Sequence, residues 1–198
     1  MWSNCSEMKE RHGDLDMIQV PILLAEGFEE AEALVPADLL RRAGASVLLV
    51  SVSGEEFVTG SHGIRVGADC TIDQVDKASM SCLLLPGGAR GTELLNASTK
   101  VQKLVRYAAE NGIYVAAICA APSILGEMEL LDGRRYACYP GFEKSIPDGI
   151  RTGKKVEHDD IFVTAEGMGV SFAFGFKLVE LLFGSQRADE LKEQTRFA

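Results

Sequence analysis

The sequence predicts a three-layer α/β sandwich, a doubly wound and mostly parallel sheet with helices on both faces. Three observations carry this. Short runs such as Cys82–Leu85 and Ile113–Ile118 are apolar on both faces, as strands covered from both sides are. They alternate with longer segments whose apolar residues recur at helical spacing. No linker, repeat or low-complexity tract divides the 198 residues, a length that suits one domain. The arrangement is flavodoxin-like in broad terms, and in such sheets ligands sit beyond the carboxyl ends of the strands.

Residues 1–16, MWSNCSEMKERHGDLD, show no regular period and read as a disordered extension, leaving one domain over 17–198. A strand is expected over 18–25 and a helix near 30–43, with Leu34, Leu39 and Leu40 along one side. Gly44 stops that helix, as a glycine just past the last turn does. Val47–Val52 is the next strand. Residues 55–72 break into short extended pieces with a turn at Ser61-His62-Gly63. Cys82–Leu85 is a strand that ends at Pro86-Gly87-Gly88. A helix near 98–111, strand Ile113–Ile118 and a helix from Ala120 to about Leu130 follow. Extended Arg135–Cys138, extended Ile161–Ala165, a glycine loop and a helix over Ser171–Phe183 complete the reading.

Composition bounds the function. Hydrophobic residues make up 46% and charged residues 25%, an ordinary globular balance. A net charge of −9 disfavours nucleic acid and anionic membrane as partners. No apolar run approaches the roughly 20 residues of a membrane span, and the N-terminus has no apolar core to act as a secretory signal. The five cysteines, Cys5, Cys70, Cys82, Cys119 and Cys138, lack CxxC spacing, which argues against a disulfide framework or zinc site and for a reducing cytoplasm. The three histidines, His12, His62 and His158, are too few and too scattered for a histidine-rich metal site.

Three loops fall at strand ends where chemistry is expected. Cys119 joins a buried strand to a helix, between small residues that suit a sharp elbow. A thiol there faces free backbone N–H groups and the positive end of a helix, which favour the thiolate. The other reading is a buried structural cysteine, and Cys70, Cys82 and Cys138 are read as packing. Pro86-Gly87-Gly88-Ala89-Arg90-Gly91 lets backbone approach a ligand and aim N–H groups at an oxyanion. It is not a phosphate loop, because no GxxxxGK[ST] occurs. In Gly27-Phe28-Glu29-Glu30-Ala31-Glu32, Glu29 and Glu30 read as complements to the helix dipole. Glu32 lies further in, where its carboxyl can turn toward the pocket and share a proton with a cysteine.

Together these loops resemble the ThiJ/PfpI family, in its deglycase branch. The resemblance rests on LAEGFEEAEALVPADLLRRAG (24–44), LLLPGG (83–88), AAICAAPSIL (116–125) and TAEGMGVSFAFGFKLVELL (164–182), and covers 17–190. It implies a class I glutamine amidotransferase-like domain with Cys119 as nucleophile, Glu32 as its carboxyl partner and the N–H groups of Gly88 and Ala120 as oxyanion hole. It places Gly87 and Tyr139 at the pocket, and Arg42 and His62 near the pocket mouth and a dimer contact. It further implies a homodimer that needs no cofactor or metal.

Two departures limit what carries over. Ala120 stands where protease-like and amidotransferase-like relatives often have a histidine, which argues against a Cys-His protease or glutaminase. Tyr139 stands where the deglycase branch often has a histidine. Two functions use the same residues. One is a glyoxalase or deglycase acting on methylglyoxal-type 2-oxoaldehydes or their thiol and amine adducts. The other is a redox-responsive stress protein or chaperone in which oxidation of Cys119 is the signal.

Overall fold

The computed structural model describes residues 18–197, so the expected tail, with Cys5 and His12, lies outside the described residues. The chain opens with β1 (Gln19–Leu24), α1 (Glu30–Ala43) and β2 (Ser46–Ser51). A hairpin of β3 (Phe57–Thr59) and β4 (Arg65–Gly67) precedes the short β5 (Cys70–Thr71). Next come β6 (Cys82–Leu85), α2 (Ala89–Ala97), α3 (Thr99–Glu110), β7 (Tyr114–Ile118) and α4 (Pro122–Glu127). The chain ends with β8 (Arg135–Tyr136), β9 (Ile150–Arg151), β10 (Val156–Asp159), β11 (Phe162–Ala165), α5 (Ser171–Phe183) and α6 (Ser185–Thr195).

Seven strands form the main sheet in the order β10-β11-β7-β6-β1-β2-β5. Its pairs are parallel except that of β10 with β11. Alternation along β6 and β7 shows why both faces must be covered. Cys82, Leu84, Ala116 and Ile118 pack with Leu39, Leu40, Phe174 and Leu178 on one side. Leu83, Leu85, Val115 and Ala117 pack with Leu95, Leu104, Val105 and Ile124 on the other. Each fully buried leucine contributes about 1.5–3 kcal/mol relative to exposure. The expected three-layer, flavodoxin-like sandwich is the observed one.

Register then decides where the loops meet. Leu85 pairs with Ala117, and Ile118 with Ala165, so β6, β7 and β11 end side by side. Gly87, Cys119 and Gly167 follow those ends. α1 is held against α5 at close range, since a Cβ on Gly175 would stand 2.7 Å from Leu39 Cδ1.

Several elements differ from the sequence reading. The helix expected from Ala120 to Leu130 is only Pro122–Glu127. Pro122 starts it, a position where its missing N–H costs nothing, and a turn through Glu129, at φ 61°, follows its end. The extended stretch at 135–138 shrinks to Arg135–Tyr136. His158 lies on β10, where the sequence reading placed no strand, with its ring nitrogen 2.7 Å from the Asp160 carbonyl. Helices α2 and α6 were not expected. In α6 only Ala188 and Leu191 are buried, too thin a stripe to show as a period.

Candidate active site

Cys119 has a φ of 65°, a left-handed conformation that a non-glycine residue adopts at a cost of roughly 1–3 kcal/mol. Three attachments hold it there. Its N–H donates to the Ala165 carbonyl at 2.9 Å, its carbonyl accepts from Tyr139 N–H at 2.8 Å, and β7 anchors the preceding residue. The elbow turns the thiol out of the core, where it is partly exposed, whereas Cys70, Cys82 and Cys138 are buried. The N–H groups of Gly88 and Ala120 are directed at the sulfur.

The glycine loop fits under this elbow because it has no side chains. A Cβ on Gly87 would stand 2.6 Å from Glu32 Oε2 and 2.9 Å from the Ile118 carbonyl. Gly88 has a φ of 89°, and a Cβ there would lie 2.3 Å from the Gly27 carbonyl. Glycine is required at 88 both for conformation and for space.

Glu32 is fully buried in the first turn of α1. Its Oε2 accepts from Gly87 N–H at 2.9 Å. Its Oε1 has no hydrogen-bond partner of standard geometry among the described residues, and the carboxyl also faces the Cys119 thiol. Burial raises the Glu32 pKa to about 7, although the Cys119 and Gly87 hydrogen bonds pull it down. Burial, followed by the charge and hydrogen bond of Glu32, pushes the Cys119 thiol up to about 12, against the pull of Gly88 and Ala120 N–H. The expectation of a thiol below its ordinary value is reversed. A buried carboxyl facing a partly exposed thiol resists carrying a second negative charge, so the two titrations are coupled.

The remaining expected residues separate into two groups. Tyr139 reaches the site, since a Cβ on Gly167 would meet its Cδ2 at 3.3 Å and Cys119 Sγ at 3.9 Å. Gly167 itself was missed, and its only signal was a glycine just past a strand. His62 lies on the β3–β4 turn, with its Nδ1 3.1 Å from Glu30 Oε2 and 3.5 Å from Glu29 Oε1. Arg42 is not at the site. It occupies the far end of α1, where its Nε pairs with Asp38 at 2.7 Å and Arg187 donates to its carbonyl. Ten residues of helix past Glu32 carry it about 15 Å away.

Glu30 also departs from its reading as a dipole complement. It is buried and accepts from the backbone N–H of His62 at 2.8 Å and of Ile64 at 3.4 Å. Burial works to raise its pKa, but bonds from its own N–H, from His62 and from Ile64 outweigh it and hold the carboxyl at about 2. Glu29, Glu30 and His62 bring one potential metal-ligand atom each within 4.8 Å of one another, the one such group among the described residues. Hydrogen bonds within the turn account for that convergence.

The sequence matches the DJ-1/PfpI family over residues 18–181. Protein DJ-1 homolog B of Arabidopsis thaliana is 37% identical over 175 residues, or 87% of this chain, which spans only 40% of that relative's length. A protein named as a deglycase in Pyrococcus abyssi is 34% identical over 154 residues, 78% of this chain and 89% of its own. Among solved structures, oxidized DJ-1 of Toxoplasma gondii is similar at a TM-score of 0.88 and 33% identity, covering 91% of this chain and 99% of that one. No helix among the described residues is long and apolar enough to cross a membrane.

Proposed function

The chain belongs to the DJ-1/PfpI family, and from that membership and the Cys119–Glu32 pair we propose a cysteine-dependent glyoxalase or deglycase. Its substrates are 2-oxoaldehydes such as methylglyoxal, or their adducts with thiols and amines. The observation that carries this reading is a thiol on a strained elbow, set between two backbone N–H groups and a buried carboxyl that holds a proton near neutral pH.

The chemistry needs only these groups. Cys119 sulfur bonds to the aldehyde carbon as the carbonyl π bond opens, and the thiol proton passes through Glu32 to the new oxygen. The Gly88 and Ala120 N–H groups stabilise negative charge on that oxygen during addition. Glu32 then removes the proton from the same carbon and returns it to the adjacent one. One carbon is oxidised and its neighbour reduced, so no outside electron acceptor enters. Water cleaves the resulting thioester, releasing a 2-hydroxy acid and restoring the thiol. No histidine is required. We read the dimeric assembly and an intracellular setting as part of the same proposal.

The test is consumption of methylglyoxal with formation of lactate by purified protein. Cys119→Ala abolishes turnover, and Glu32→Gln lowers it by roughly a hundredfold or more, the scale of a lost general base. Full turnover by Cys119→Ala would end the proposal.

One observation favours a second reading, a redox sensor. The Toxoplasma relative is described as oxidized. Two equivalents of peroxide would convert Cys119 to a sulfinate, and the same N–H groups and protonated Glu32 can bind its oxygens. Intact mass after peroxide treatment, with a gain of two oxygens confined to Cys119, is its signature.

A further inference from the structure

We propose that Tyr139 and Gly167 form an aryl-binding slot beside Cys119, which selects flat aromatic 2-oxoaldehydes and their adducts over aliphatic ones. The inference rests on the activity proposed above and names the substrate class within it.

Tyr139 is 51% exposed, although the residue before it, Cys138, is buried. Its backbone is nonetheless fixed beside the nucleophile. Its backbone N–H donates to the Cys119 carbonyl at 2.8 Å, so the ring is carried on the same peptide ladder as the nucleophile. The Tyr139 hydroxyl makes no hydrogen bond to another described residue, so nothing turns the ring from the opening.

Gly167 supplies the other wall. Its φ of 163° is extended backbone that any residue can adopt, so its conformation does not demand glycine. The space does. A Cβ there would enter the gap between the Tyr139 ring edge, at 3.3 Å from Cδ2 and 3.9 Å from Cε2, and the sulfur, at 3.9 Å. Ring edge and nucleophile therefore flank the position a side chain on Gly167 would take. The next residue, Met168, is 56% exposed and continues an apolar rim.

A planar ring attached to the reacting carbonyl can lie over Gly167 and meet the Tyr139 ring while its aldehyde carbon reaches Sγ. Offset or edge-to-face aromatic contact strengthens binding about tenfold at the upper end of its range. A methyl group is too small to make that contact from the same attachment point.

The experiment uses the full chain and the variants Tyr139→Phe, Tyr139→Ala and Gly167→Ala. Two ratios are read: kcat/KM for phenylglyoxal over methylglyoxal, and the rate of Cys119 alkylation by phenacyl bromide over bromoacetone. The second needs no turnover, so it decides the slot even if the parent consumes neither aldehyde, which would sink only the proposed activity. Tyr139→Phe keeps the ring and keeps both ratios. Tyr139→Ala lowers them about tenfold, mainly through KM in the first, and Gly167→Ala lowers them by filling the gap. If the alkylation ratio stays within about twofold of the parent in both alanine variants, the slot does not exist. If Tyr139→Phe lowers the ratios as much as Tyr139→Ala, the hydroxyl rather than the ring is responsible and the inference is overturned.

Discussion

Gly87 lies so close beneath Cys119 that a Cβ built on it would stand 2.6 Å from the Cys119 Cβ. The same atom would also come 2.6 Å from Glu32 Oε2. Gly87 is thus the spacer that lets carboxyl and thiol meet, and its N–H fixes one of the carboxyl oxygens. Gly87→Ala must push the pair apart, because the backbone around it is paired on both sides. The variant is expected to fold with a loss on the order of 1–3 kcal/mol, as overpacked cores do. Methylglyoxal turnover should fall at least a hundredfold, measured beside circular dichroism. A variant with parental turnover would show that the proton does not pass between these two residues.

The Glu32 carboxyl makes a prediction about pH. Its folded pKa of about 7 lies above the ordinary 4.5, so folding favours the protonated form. That contribution is complete below pH 4.5 and is lost as pH rises through 7. A shift of this size corresponds to about 3 kcal/mol. Glu32→Gln, which cannot ionise, should match the parent in melting temperature near pH 4 and exceed it by several degrees at pH 8. Turnover by the parent should run the other way, rising through pH 7 as the base form appears. A melting difference that does not change with pH would mean that Glu32 titrates normally.

Much of this arrangement was legible because strand-loop-helix units repeat a simple rule. An apolar run followed by Pro86-Gly87-Gly88, or by Cys119 among alanines, marks a strand end, and parallel strands bring such ends to one edge. Glu32 could be placed because it follows the first strand on a helix whose period was clear. The direction of the Cys119 shift was not legible. Local context offered two N–H groups and a helix start, but burial and the facing carboxyl come from the tertiary fold and outweigh them. The helix after Cys119 was also expected to be longer than its six residues. Gly167 was missed, and Glu30 was read only as a dipole complement, for a related reason, since each acts through a segment distant in sequence.

Access sets the order of thiol reactivity. Cys82 is wholly enclosed between sheet and helices, and burial raises its pKa to about 12. Cys70 and Cys138 are buried as well, leaving Cys119 as the partly exposed thiol among the described residues. With substoichiometric iodoacetamide, peptide mass spectrometry should find Cys119 modified first among those four. The other three should react only at the rate of local or global unfolding. Prior reaction at Cys70, Cys82 or Cys138 would contradict the placement of the elbow.

Glu30 stands two residues from Glu32, yet its work is different. Its Oε1 receives the His62 and Ile64 N–H groups, while its Oε2 receives the Ser61 hydroxyl at 3.2 Å and faces the His62 ring. These bonds pin the β3–β4 hairpin to the start of α1. The carboxyl fills the space a side chain on Gly60 would need, where a Cβ would lie 2.3 Å from Glu30 Cδ. Because its folded pKa is near 2, below the ordinary 4.5, its stabilisation is present above pH 4.5 and lost as pH falls through 2. Glu30→Gln keeps the size but loses the charge that strengthens those hydrogen bonds, a cost on the order of 1–3 kcal/mol. The variant should melt a few degrees lower at pH 7, with the gap closing toward pH 2. Amide exchange should quicken at His62 and Ile64, whose N–H groups lose an ionised acceptor. Turnover should fall far less than in Glu32→Gln, because Glu30 faces the hairpin and not the sulfur. If Glu30→Gln instead abolishes turnover with unchanged exchange, the proton-carrying carboxylate is Glu30 and the assignment to Glu32 is wrong.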